Sequence, residues 1–527
     1  MSIGYGGSRG AGARAAYDVI VIGGGHNGLV AAAYLGRAGR SVLVLERSDT
    51  LGGAVASVSP FPGVDARISR YAYLVSLIPD RIVRDLGLNL AIRSRPTASY
   101  TPVGADGLLV ERDVGPATAD SFSRLTGSGV EFAEWQKFYR QLRAVAEVVA
   151  PTMLDPLPGR EKLQKAVADA AGVSAWADVF EQPLGAAIEQ RFASDLVRGV
   201  VLTDALIGTH TCAYDPSLLQ NRTFLYHVIG NGTGEWAVPA GGMGAVAAAF
   251  EQAARDAGAE LRVRAEVTGL DATTGEVRWH DADGVEQGAS GRFVLANVAP
   301  TTLSRLRGTV PVPVEGSQLK INMVLRRLPR LRSGIDPRVA FAGTFHIAEG
   351  YEQLEAAFRA VDAGSLADPQ PNEIYCHSLT DPSVLAPDLV AAGWHALSMF
   401  GLHVPARLFA DDHDAHKDEA MRRALAALDD CLAEPIADCL AVNADGAPCL
   451  EAHTPVELEQ ELGLPGGNIF HGDLQWPWAD DSVEADDRWG VATDEPRLLI
   501  CGSGARRGGA VSGIAGHNAA HAVLEQS

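Results

Sequence analysis

The chain has 527 residues, 47% of them hydrophobic and 21% charged, and a formal net charge of −21. That length exceeds what one hydrophobic core usually serves, so two or more domains are expected of an ordinary globular composition. The excess of acid argues against nucleic acid and anionic membrane surfaces as partners, because both reward clustered Lys and Arg.

Residues 1–16 are rich in Gly, Ala, Ser and Arg and lack the apolar stretch of a secretory signal, so they read as a disordered leader. Asp18–Ile22 then forms a run of strand length suited to burial on both faces of a parallel sheet. Gly23, Gly25 and Gly28 fit G-x-G-x-x-G. The first glycine permits a tight turn, the second lets a pyrophosphate approach the backbone, and the third lets helix and strand pack closely. Asn27–Ala38 reads as a helix whose free N–H groups and dipole would face the anion. A second strand, Ser41–Leu45, ends at Glu46, placed to accept hydrogen bonds from a ribose hydroxyl. Together these features predict a dinucleotide-binding βαβ unit.

Glu46 is followed by "RSDTLGGA", which puts a diglycine at Gly52–Gly53. This spacing resembles the extension in flavoproteins of the glutathione-reductase and amine-oxidase type, where the chain returns beside the pyrophosphate of FAD. The resemblance favours FAD over NAD. Further along, Glu131–Ala150 reads as a helix, whereas "VIGNGTGEW" misses the nucleotide spacing. "VPAGGMGAVAAAFEQAARDAGAELRVRAEVTGL" (238–270) predicts a long helix and then a strand containing Val263 and Val267, and "FVLANVAP" (293–300) a further strand. Leu319–Leu325 and Trp394–Leu402 read as strands and Ala415–Leu432 as a helix; "LRSGIDPRVAF" and "DPQPNE" carry turn residues. The C-terminus gives a strand (Leu498–Cys501), a glycine-rich loop with Gly508, Gly509, Gly513 and Gly516, and a helix beginning near Val511–Gly513. That helix end would stabilise a reduced flavin near N1 and O2; a turn that needs glycine only for packing is the alternative. Gly502-x-Gly504 has Arg507 where the third glycine would stand, so it is no second nucleotide fingerprint.

"GHNGLVAAAYL" (25–35), "YLVSLIPDRIVRDLGL" (73–88), "TDALIG" (203–208), "LGLPGGNIFHGD" (462–473) and "CGSGARRGGAVSGIAGHNAAH" (501–521) follow in order along nearly the whole chain. They resemble the phytoene-dehydrogenase-related group, with the O-type carotene ketolases nearby, inside the phytoene desaturase and amine oxidase superfamily. The resemblance implies an α/β fold: a Rossmann-like FAD-binding domain of that type with an α+β substrate domain. The FAD domain would be discontinuous, from 17–95, 235–300 and 485–527, and the substrate domain would come from 96–234 and 301–484. The implied FAD contacts are Gly23, Gly25, His26, Asn27, Gly28, Glu46, Arg47, Gly52, Gly53, Val267 (adenine, through the backbone), Gly502, Gly509, Val511 and Gly513.

The implied activity is that of an FAD-dependent dehydrogenase or desaturase. A hydride would pass from a C–H bond of an apolar or amphipathic small molecule to flavin N5, and oxygen, a quinone or a protein would accept the electrons. A flavin amine oxidase using oxygen is one alternative, although the paired aromatics that flank flavin in many such enzymes are not evident from the sequence. A non-catalytic binding protein of the Rab escort and GDI kind, or a redox-neutral isomerase using reduced FAD, are others. Lys320, in "GSQLKINMVL", matches a "GS-x-x-K" strand of amine oxidases in which a lysine holds a water near N5, and it is the candidate catalytic residue. Alternation sets Lys320, Asn322 and Val324 on one strand face, which either lines a cavity or meets solvent.

Arg70, Tyr71 and Tyr73 fall where relatives pass under the isoalloxazine, and packing is the equal alternative. His471 and Asp473 read as a proton acceptor or, more simply, as structural hydrogen-bonding groups. Thr203 and Asp204 read as a satisfied buried pair. "DDHDAHKDEA" (411–420) looks superficially metal-binding, but a solvated acidic helix start explains it. The six cysteines include no CxxC pair, which speaks against a disulfide framework, a zinc site or a disulfide reductase, so no metal is expected. No apolar run is long enough for a membrane span, and a cytoplasmic address is the expectation.

Overall fold

A computed structural model describes residues 16–479 and 487–526. The expected leader, 1–15, lies outside the described residues, as does the expected domain junction at 484/485. Ala16 does not belong to a leader; it opens the first strand.

In chain order, β1 (Ala16–Ile22), α1 (His26–Arg37) and β2 (Val42–Leu45) form the opening βαβ unit, each boundary within two residues of expectation. Next come β3 (Thr97–Val103), β4 (Asp106–Glu111), α2 (Val130–Thr152), α3 (Asp195–Leu202) and α4 (Leu219–Ile229). α5 (Met243–Asp256) leads to β5 (Glu260–Arg262), β6 (Glu266–Asp271), β7 (Glu276–His280) and β8 (Glu286–Ala296). After β9 (Ser317–Leu325), β10 (Thr344–Ile347), β11 (Asn372–Tyr375) and β12 (His395–Pro405) comes α6 (His413–Asp429). β13 (Leu450–His453), α7 (Pro455–Leu462), β14 (Leu498–Ile500) and α8 (Ile514–Glu525) complete the series.

The first sheet has the order β6-β7-β8-β1-β2-β5, with β14 also paired to β8. β8, β1, β2, β5 and β14 run parallel, and β6-β7-β8 is an antiparallel meander whose last strand continues into the parallel part. Val19–Ile22 and Val42–Leu45 are buried throughout, as both faces of a covered parallel sheet require. The single strand expected through Val263 and Val267 is instead two. Val263 and Arg264 lie between β5 and β6, and Arg264 has φ +51°, a left-handed residue that breaks the pairing.

α8 crosses α1 closely enough that a Cβ on Gly516 would sit 2.0 Å from the carbonyl oxygen of Asn27. Glycine at 516 therefore brings the C-terminal segment against the opening loop.

The second sheet has the order β13-β9-β12-β11-β10-β3-β4, antiparallel except between β10 and β3. One face carries Leu319, Ile321, Met323, Phe345, Ile374 and Met399 and packs with Ala420, Ala424 and Leu428 of α6. The other face is polar and yet is also buried, because the segments around α3 and α4 cover it. Among the described residues no helix is long and apolar enough to cross a membrane.

Candidate active site

One cavity, with about 370 Å³ reachable by the centre of a water molecule, runs from the loops of the first sheet to the polar face of the second. The opening loop forms one stretch of its wall. Gly23 turns with φ +100°, and Gly25 serves as the N-cap of α1 with no side-chain cap and no acid in the first turn. The positive end of α1 is thus left for a ligand. Gly52 donates its amide to the carbonyl of Gly24 at 2.9 Å, so the diglycine does return beside the opening loop. Glu46 accepts from the amides of Gly24 and Ser48, both at 2.8 Å, which fixes its carboxylate at the cavity wall. Glu266 and Val267 line the same end.

Of the expected cofactor contacts, Gly23, Gly25, His26, Asn27, Glu46, Arg47, Gly52, Gly53, Val267 and Val511 line this cavity. Gly28, Gly502, Gly509 and Gly513 do not; Ser503 and Ala510 stand there with Val511 instead. A Cβ on Gly28 would meet the carbonyl of Gly23 at 2.5 Å, and one on Gly509 would meet Leu474 at 2.4 Å. Gly502 lies against Asn297, and Gly513 caps α8 with φ +75° beside Val30 and Ile82. Packing requires glycine at 28 and 509 and backbone conformation favours it at 513, whereas Gly502 is only tightly packed.

The two glycine-rich loops meet directly. His26 hydrogen-bonds the backbone of Ala510, yet burial dominates and holds the imidazole down to about 4, so it is neutral. The polar atoms His26 Nε2, Asn27 Oδ1, Lys320 Nζ and His471 Nδ1 belong to wall residues and are buried without partners. Unpaired buried atoms on a glycine-lined wall fit a polar, extended ligand such as a dinucleotide. Arg47 Nη2 holds the carbonyl of Glu461 at 2.9 Å and the Tyr71 hydroxyl donates to the Glu461 carboxylate, so the end of α7 closes the outer side.

At the far end stands Lys320, 2% exposed. Its strand face meets the cavity and not solvent, against the usual habit of strand lysines. Nζ lies 3.8 Å from the ring centroid of Tyr73. Burial pushes the amine well below its ordinary range, only partly opposed by Glu451. Pairing registers place His453, Lys320, Phe400, Glu373 and His346 in one row across β13, β9, β12, β11 and β10. Tyr73 and Tyr375 pack against each other there, with ring centroids 4.7 Å apart and planes tilted by 41°. The Tyr375 hydroxyl donates to Glu373, whose buried carboxyl is pushed up to about 8.

Other sequence candidates separate. Asp204 lines the cavity, and burial raises its carboxyl to about 7; the hydroxyl of Thr203 turns to Glu373 at 3.4 Å, so the two do not pair. His471 lines the cavity with φ +65°, whereas Asp473 lies off it, 3.9 Å from Arg222. Arg70 is off the cavity too, in a two-point bond to Glu451, while Tyr71 and Tyr73 line it. Asp412 caps α6 and His413 engages Asp414 and Thr454, as a solvated helix start does. Sequence reasoning missed Glu373, Tyr375, His227 and Trp236. Only the i, i+2 spacing of Glu373 and Tyr375 in "NEIYC" signalled a shared strand face.

The NAD(P)-binding Rossmann-like domain family matches residues 21–80. The chain is 48% identical to the Mycobacterium tuberculosis protein Rv0897c over 524 residues, covering 96% of this chain and 97% of that one. It is 29% identical to the rat pyridine nucleotide-disulfide oxidoreductase domain-containing protein 2, covering 96% and 93%. A putrescine oxidase variant shares the fold at TM-score 0.57 and 16% identity, over 97% of this chain and 99% of that one.

Proposed function

We propose that this chain, which belongs to the family of Rv0897c and of pyridine nucleotide-disulfide oxidoreductase domain-containing protein 2, is an FAD-dependent oxidoreductase. Its substrate is an apolar or amphipathic small molecule. The observation that carries this reading is the single cavity that joins the glycine loops to the buried Lys320 row. When bound, FAD supplies the acceptor for a hydride taken from a substrate C–H bond.

The protein's own residues do the rest. Gly23, Gly25, Gly52 and Gly53 keep side chains away from the pyrophosphate, and the amides opening α1 face it. Glu46 takes the ribose hydroxyls through lone pairs that Gly24 and Ser48 leave free, and the backbone near Val267 takes the adenine. Ala510 and Val511, which line the cavity, would border the ring end of the cofactor. Tyr73, Tyr375, Trp236 and Phe400 hold the apolar part of the substrate and exclude water. Lys320, its charged form disfavoured by burial, positions a water or a substrate polar atom. Glu373, held by the Tyr375 hydroxyl, accepts the proton that desaturation releases when it is ionised, a form that burial confines largely to pH above about 8.

The fold shared with a putrescine oxidase and the buried Lys320 support a second reading, oxidation of an amine with oxygen as acceptor. Purified protein is examined by absorption and by analysis of the nucleotide released on denaturation, then given candidate substrates anaerobically and in air. Bound FAD and a new double bond in the product support the first reading. Stoichiometric peroxide with amines supports the second. Colourless protein that takes up no flavin refutes both.

A further inference from the structure

The second sheet carries a side-chain cluster most of which the cofactor reading leaves unused. His346 on β10 stands directly opposite Glu373 on β11, so both side chains leave the same face of the sheet. Glu349 follows β10 by two residues and returns to that spot, and one donor atom from each of the three lies within 4.8 Å of the others. All three are buried, Glu349 at 1% exposure. Neither carboxylate oxygen of Glu349 has a partner in hydrogen-bond geometry, and the Thr203 hydroxyl acts on it only weakly. A carboxylate in that position is costly unless a cation or a proton meets it.

The surroundings orient the three groups as outer hydrogen bonds orient metal ligands. Thr101 Oγ1 lies 3.0 Å from Nδ1 of His346, which leaves Nε2 facing Glu373 Oε1 at 3.9 Å. A neutral imidazole with Nδ1 engaged by Thr101 offers its Nε2 lone pair to a metal. Tyr375 engages the second oxygen of Glu373, and Thr203 Oγ1 lies 3.4 Å from the first. Arg95 acts on Glu373 electrostatically, but it donates to the carbonyl of Trp236 at 3.0 Å and to Thr344 Oγ1 at 3.3 Å. It therefore leaves Glu349 unsatisfied. Two donors each about 2.1 Å from one tetrahedral ion stand about 3.4 Å apart, so His346 and Glu373, at 3.9 Å, close by about half an ångström and Glu349 draws in with them.

We propose that His346 Nε2, Glu373 Oε1 and one oxygen of Glu349 bind a single divalent cation of the Zn²⁺ or Mn²⁺ class. One imidazole and two carboxylates suit such borderline ions better than soft ones. The cation neutralises two buried acids and fixes Glu373 in the row that ends at Lys320 and His453. The site does not depend on a bound flavin.

Full-length protein is stripped with a chelator and titrated calorimetrically with Zn²⁺ and, separately, with Mn²⁺. One equivalent is expected to bind to the wild type, and at least about 100-fold more weakly to Glu349→Gln of unchanged circular dichroism. His346→Gln is judged by the same two criteria. A wild type that binds neither ion, its two acids sharing a proton, overturns the proposal. So does a folded variant that binds like the wild type, which assigns the ion to exposed carboxylates. X-ray absorption of the Zn²⁺-loaded wild type needs no variant: one nitrogen with oxygen ligands supports the site, and sulfur or a second imidazole refutes it.

Discussion

Lys320 Nζ lies 3.8 Å from the ring centroid of Tyr73 and meets no hydrogen-bond acceptor. Desolvation disfavours the charged form of this buried amine and shifts it well below its ordinary range, and the face of an aromatic ring is in contact with it. The role proposed for Lys320 at this end of the cavity is that of a base or the holder of a water.

Replacing Lys320 by Met tests this directly. Removing an unpartnered buried amine raises stability by about 1–3 kcal/mol, visible as a higher melting temperature. FAD stays bound, while the half-reaction that depends on Lys320 slows by about 100-fold in stopped-flow. Unchanged rates in both half-reactions remove Lys320 from the chemistry.

Two glycines of the opening loop separate by role. Gly25→Val fills the cavity wall, and its Cβ meets only the side chain of Asn297 at 3.1 Å, so FAD is lost while the fold persists. Gly28→Ala forces a Cβ to 2.5 Å from the Gly23 carbonyl and destabilises the fold by about 1–3 kcal/mol. Flavin retention by Gly25→Val, measured on the purified variant, contradicts the pyrophosphate placement.

The Arg70–Glu451 pair predicts an acid limb in the stability profile. Burial raises the Glu451 carboxyl, but His453, Arg70 and Asn322 more than offset this and hold it near 2. The folded value lies below the unfolded one, so the stabilisation is complete above about pH 4.5 and is lost as pH falls toward 2. Glu451→Gln flattens this part of the curve and costs about 1–3 kcal/mol at neutral pH. Melting temperatures of both proteins between pH 3 and 7 decide it; parallel curves refute the linkage.

Arg507, which breaks the second apparent nucleotide motif, is 1% exposed and donates to the carbonyls of Thr152, Asp155 and Trp489. Arg507→Leu leaves those carbonyls unsatisfied and is expected to cost about 3 kcal/mol or more by denaturant unfolding. A loss below about 0.5 kcal/mol means that water replaces the guanidinium.

Local order was legible before any coordinates. The opening βαβ unit follows from a run of valine and isoleucine, three spaced glycines and an acid, all within one stretch of chain. The strands around Lys320 and His395, and the helices at 130–152 and 413–429, follow equally from periodicity, because local spacing decides which face a side chain takes. The C-terminal glycines were legible as a bare loop, but not which of them face the ligand. That depends on where Leu474, Asn297 and Val30 pack, each distant in sequence.

The sequence by itself determined the nucleotide fold, the glycine cradle and the alternation that set Lys320 apart from its strand neighbours. Only the tertiary structure decided that this face is dry, that Tyr73 and Tyr375 pair above it, and that His346, Glu349 and Glu373 converge beside it. Pairing register across five strands brings residues more than a hundred positions apart into one row, and no local spacing encodes that register.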